Sequence, residues 1–187
     1  MRRYKFYGVA LGMLLLVLAV GSYAVAGSSG SNNFIGDPMI GYNENPDVST
    51  VAHGQFVATL SPDRRMLSYR LSYNGLEGAV QQAHIHFGKA AVNGGISIFL
   101  CANGDFRAGQ RATLPTCPQS GTVTDTVDMT AVVGPAGQGI AAGELGEVIA
   151  AMEAGRTYAN VHSVKFPGGE IRAQLVGSQF GGGRFGG

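Results

Sequence analysis

The chain has no tryptophan, only two cysteines, and 13% charged residues in a length of 187. Two cysteines exclude a cysteine-rich scaffold and a zinc site built on four thiolates. So few charges argue against coiled coils and long surface helices, whose outer faces are charged. A formal net charge of +1 excludes a strongly basic nucleic-acid binder. Catalytic signatures are missing too. There is no G-x-S-x-G elbow, no P-loop, no C-x-x-C and no carboxylate pair set out for glycoside hydrolysis. Residues 134–139 (GPAGQG) read as a shaped connection, not a phosphate cradle. No catalytic residue is assigned.

What is present is 45% apolar residues and 30 glycines. That is enough for the core of one domain, with the many turns of β structure.

The N-terminus carries a targeting pattern. Arg2, Arg3 and Lys5 precede an apolar run over residues 9–20, and Ala24-Val25-Ala26 forms an A-x-A site. Residues 1–26 therefore read as a secretory signal peptide. An uncleaved anchor over residues 7–26 is the alternative. Removing residues 1–26 leaves ten basic against twelve acidic residues, a net charge of −2. The mature chain has no attraction for nucleic acid or an anionic membrane surface. Its expected location is extracellular or periplasmic. Cys101 and Cys117 fit that oxidising setting as a disulfide. Residues 27–33 read as a flexible linker, and residues 177–187 as a Gly-rich tail.

Between these ends, alternation recurs. Phe56, Ala58 and Leu60 share a face, as do Leu67, Tyr69, Leu71 and Tyr73, before an Asn74-Gly75 turn. Ile96, Ile98 and Leu100 repeat the pattern, and so do Ile171, Ala173 and Leu175. These predict half-buried antiparallel strands. Residues 165–169 (KFPGG) predict a hairpin turn. One helix is predicted over residues 141–154, with Leu145, Val148, Ile149 and Met152 on its apolar face and Gly155 at its end. The predicted fold is an all-β, Greek-key antiparallel β-sandwich, immunoglobulin-like or superoxide-dismutase-like, with one short helix in a connection.

Three of the four histidines lie in two strand-like segments. Alternation puts His84 and His86 on one face, and Asn160 and His162 on one face of another strand. If the strands meet, three imidazoles converge, and neutral imidazole suits copper or zinc. Three ring nitrogens within about 4 Å of a common point would serve one ion, because metal–nitrogen bonds are about 2 Å long. The other reading is a structural hydrogen-bonded network with Asn160, Glu170 and Arg172. Register decides between them. Pairing Lys165 with Glu170 sets His162 opposite Ala173; a one-residue slip sets it beside Arg172 or Gln174. His53 reads as a bystander.

The runs QQAHIHFG, VNGGISIFLC, VVGPAGQGIAAGEL, TYANVHS and KFPGGEIRAQL resemble the CHRD domain, first described in chordin and widespread in bacterial secreted proteins. GYNENPDVST resembles its first strand region. The resemblance covers residues 34–176. It departs at Ala173, where many members carry Gly, and at Asn45, where a small apolar residue is usual. It implies an extracellular all-β module without established catalytic residues. The expected function is non-enzymatic binding of an extracellular protein or envelope component. His84-Ile85-His86-Phe87-Gly88 also looks like the metal-ligand strand of copper-zinc superoxide dismutase. By that analogy alone, copper or zinc binding with a redox role is the alternative.

Overall fold

The computed structural model describes residues 30–178. The predicted signal segment and the tail from residue 179 lie outside the described residues. Nine strands form: β1 (Asn33–Ile40), β2 (His53–Leu60), β3 (Leu67–Asn74), β4 (Val80–Phe87), β5 (Gly95–Ala102), β6 (Gly121–Val127), β7 (Thr157–Ser163), β8 (Ile171–Gln174) and β9 (Val176–Ser178). The α-helix, α1, spans Leu145–Glu153. No helix among the described residues is long and apolar enough to cross a membrane.

All strand pairs are antiparallel, in the order β5-β4-β7-β8-β1-β2-β3-β6, with β9 alongside β1. The path bends round until it nearly closes. Ile98 of β5 bridges Val132, just past β6. The Tyr69 hydroxyl on β3 donates to the Leu100 carbonyl on β5 at 2.5 Å. The result is the predicted all-β architecture, one nine-stranded antiparallel sheet nearly closed into a barrel around one core.

The alternating apolar residues face inward except Ile96, which a register shift in the β4–β5 pairing sets opposite His86, half-buried and off the shared face of Ile98 and Leu100. Phe56, Leu67, Leu71, Ile85, Ile98, Val161, Ile171 and Leu175 belong to one buried cluster with the inner face of α1. The Cys101–Cys117 disulfide forms, with Cα atoms 5.1 Å apart. It ties β5 to the run that enters β6. These are the two edge strands the sheet leaves unpaired with each other, so the bond guards the open seam.

Two boundaries differ from the sequence reading. The helix begins at Leu145, not at residue 141, because Gly143 adopts φ +87°, a left-handed conformation no helix accommodates. Its predicted apolar face is buried as expected. The strand system also reaches past the assigned domain: Asn33 opens β1, and Gly177 and Ser178 complete β9 against it.

A further difference positions the site. Unlike the half-buried strands read from alternation, β7 is buried at every position. Its second face, with those of β4 and β8, carries the polar residues and is roofed by loops. Asn43 in the 41–52 run donates to the Arg172 carbonyl at 3.1 Å, and Thr50 donates to Glu170 at 2.9 Å. The β4–β5 loop is held down by Arg172, which donates to the carbonyls of Lys89 and Val92 at 3.1 and 3.0 Å. Asn93 in turn donates to the Asn45 carbonyl at 2.8 Å, joining the two roof segments.

Candidate metal centre

Hydrogen-bonded pairing of β4 with β7 sets Gln82 opposite His162, His84 opposite Asn160 and His86 opposite Tyr158. All six point to the roofed face, since Ala83, Ile85 and Val161 take the core side. Two register shifts in the β4–β5 pairing flank His84 and Ile85, a device that re-aims side chains.

The β7–β8 register differs from both alternatives read from the sequence. Val161 pairs with Ile171, so His162 stands level with Glu170 and Asn160 opposite Arg172. The cause is the turn. Gly169 N–H bonds the Phe166 carbonyl across Pro167 and Gly168, and the ladder resumes only where Glu170 N–H meets the Val161 carbonyl. Pro167 has no N–H, and Gly169 sits at φ +125°. His162 is thereby kept off the apolar face.

His84, His86 and His162 converge, with one nitrogen from each lying within 4.8 Å of the others. That spacing meets the one-ion condition. Backbone carbonyls fix the tautomers of His86 and His162, because a carbonyl oxygen only accepts, and the Gln82 amide oxygen sets that of His84 in the orientation it takes. His86 donates Nδ1–H to the Gly94 carbonyl at 2.9 Å. His162 donates Nδ1–H to the Pro167 carbonyl at 2.9 Å. His84 donates Nε2–H to the Gln82 side-chain oxygen at 3.0 Å. The remaining lone pairs, on His84 Nδ1, His86 Nε2 and His162 Nε2, all face the centre. Metal-ligating histidines take this arrangement, with the outer N–H held by a carbonyl.

Inside, neither His86 nor His162 offers an N–H. His86 Nε2 is buried without a hydrogen-bond partner. His84 Nδ1 and His162 Nε2 lie 3.1 Å apart. Burial pushes the His84 imidazolium down to about 2, with the neighbouring histidines adding to the effect. Burial also lowers His86 to about 4, and it lowers His162. All three rings are therefore neutral near pH 7, the form that binds metal. A ring of buried acceptors facing one another suits a cation.

Aromatic walls fix the rings. Tyr158 stacks on His86 with centroids 4.7 Å apart, and Phe99 meets His84 edge-on at 4.6 Å. Arg172 covers the far face of Tyr158, with Cζ 3.3 Å from the ring centroid.

The three residues grouped as a polar network separate into different roles. Asn160 Oδ1 lies 3.0 Å from His162 Nε2. Arg172 holds the β4–β5 loop and caps Tyr158. Glu170 accepts from Ser163 at 2.5 Å, from Thr50 and from the Glu77 N–H at 2.8 Å, away from the histidines. His53 stays exposed near Asn74.

Sequence reasoning missed Glu44, Gln82, Tyr158 and the carbonyls of Gly94 and Pro167. Gln82 could have been found, since alternation puts it on the face of His84. Glu44 sits in the GYNENPDVST run. Backbone carbonyls carry no side-chain signal. Glu44 is buried beside Arg172 and Asn160. Desolvation pushes its carboxyl up to about 7, against the opposing pull of Arg172 and Asn160.

The chain matches the CHRD domain family over residues 37–175. It belongs to that family, as the resemblance implied. No curated protein and no solved structure matches the chain.

Proposed function

We propose that this chain is an exported CHRD module that works by binding, without turnover, and holds one copper or zinc ion through His84, His86 and His162. The observation that carries the metal reading is the tautomer pattern. Each imidazole gives its N–H to an outer carbonyl-type oxygen and turns a lone pair inward. Export is supported by the N-terminal pattern and by the Cys101–Cys117 disulfide, which fits an oxidising compartment. The partner at the cell exterior is an extracellular protein or an envelope component.

A purely hydrogen-bonded network makes a different demand. His84 Nδ1–H would donate to His162 Nε2, and Gln82 would turn its amide nitrogen towards His84. Nitrogen-15 NMR of the imidazoles separates the two. The metal reading expects His84 protonated on Nε2, and zinc-dependent shifts on one nitrogen of each ring. A His84 protonated on Nδ1 and indifferent to zinc and copper contradicts it. For export, N-terminal sequencing of protein recovered outside the cytoplasm is expected to start at Gly27. An intact N-terminus there contradicts cleavage.

A further inference from the structure

Asn160 sits beside the three histidines in an orientation that a hydrogen-bonded network does not explain. Its Oδ1 lies 3.0 Å from His162 Nε2, whose N–H is already committed, through Nδ1, to Pro167. Both atoms are acceptors. His86 Nε2, the third inward nitrogen, lacks a hydrogen-bond partner. Asn160 is 2% exposed, so water does not relieve the contact. Two acceptors 3 Å apart repel each other unless a proton or cation lies between them.

The orientation is set from behind. The Asn160 amide nitrogen is turned towards the buried Glu44 carboxyl, whose Oε1 has no hydrogen-bond partner; both atoms border the Cβ position of Gly169. Gly169 leaves the space for this contact. A Cβ there would collide with Glu44 Oε1 and stand 2.9 Å from Asn160 Nδ2. With the nitrogen on the Glu44 side, the oxygen is turned to the centre.

We infer that Asn160 Oδ1 is the fourth ligand of the metal centre, with Glu44 as its positioning residue. This inference rests on the three-histidine reading and goes beyond it. Three imidazoles and one amide oxygen fill a four-coordinate site, leaving no position for a substrate. Closed sites of this kind hold structural or stored ions, whereas catalytic zinc keeps one position open. The harder oxygen donor also favours Zn²⁺ or Cu²⁺ over Cu⁺.

Cobalt(II) substitution tests the assignment. The visible spectrum of the Co²⁺-loaded protein reports coordination, and azide is the probe for an open position. The wild-type spectrum is expected to be unchanged by azide. Asn160→Ala is expected to bind azide with a spectral change, and to hold Zn²⁺ at least about tenfold more weakly in chelator competition. Glu44→Gln keeps the amide but loosens it. It provides a second variant, expected to gain azide sensitivity with His84, His86 and His162 intact. Azide binding by the wild type overturns the fourth ligand while leaving the three-histidine centre standing. So does an Asn160→Ala spectrum as closed as the wild type's. Failure of the wild type to bind Co²⁺ or Zn²⁺ overturns both.

Discussion

His84 on β4 and His162 on β7 are diagonal neighbours across two paired strands, with ring nitrogens 3.1 Å apart. Each ring also hands its other nitrogen to an oxygen acceptor outside the centre. Two antiparallel strands thus do what a loop would do less rigidly. They fix imidazoles by backbone register, with the hydrogen-bonded ladder as the scaffold.

Filling the gap at Gly169 is expected to damage fold and site together. Its φ of +125° disfavours any side chain, and a Cβ intrudes between Glu44 and Asn160. Gly169→Ala is expected to cost about 1–3 kcal/mol in urea unfolding. It should also weaken zinc binding. Unchanged stability and affinity would remove the role given to this glycine.

Acid is expected to destabilise the metal-free protein. His84, His86 and His162 are held neutral by burial, below an ordinary histidine value of 6.5. The unfolded chain therefore takes up protons first as pH falls. Their contribution is complete above about pH 6.5 and drains away as pH falls towards the depressed values, near 4 for His86. Glu44, raised to about 7 from 4.5, acts in the opposite sense between those values. It is one group against three. A thermal-melt series should show Tm falling from pH 7 to 5, and falling more steeply in Glu44→Gln. A Tm that rises on acidification contradicts the buried neutral histidines.

Loss of the disulfide is expected to loosen the barrel seam. The cross-link spans a sequence separation of 16, and a loop near that length is worth about 3 kcal/mol in the chain-entropy model. The Cys101→Ser/Cys117→Ser pair should lose about that much in denaturant midpoint analysis. It should also exchange amide hydrogens faster in β5 and β6. Protection unchanged in these strands would show that the seam is held by other contacts, Tyr69 to Leu100 foremost.

The fold was largely legible because period-two alternation is a direct consequence of strand geometry. Leu67, Tyr69, Leu71 and Tyr73 announced β3, and all four are buried. The convergence of His84, His86 and His162 was legible as a possibility, since alternation fixes faces. It does not fix which strands pair, and the register at His162 turned on Pro167 and Gly169 in the turn. The outer shell was not legible. Glu44 reaches Asn160 from a loop more than a hundred residues away in sequence, and no local pattern reports that distance. Helix periodicity likewise said nothing of Gly143, whose backbone conformation moves the helix start to Leu145 while leaving the apolar stripe intact.

The central claim is that three inward lone pairs bind one ion. Metal analysis by plasma mass spectrometry tests it most directly, on protein purified from metal-replete cells beside a His84→Ala/His86→Ala variant. The expected result is one copper or zinc per wild-type chain, with the ion lost from the folded variant. Wild-type protein free of stoichiometric copper and zinc, after exposure to both, would contradict the account.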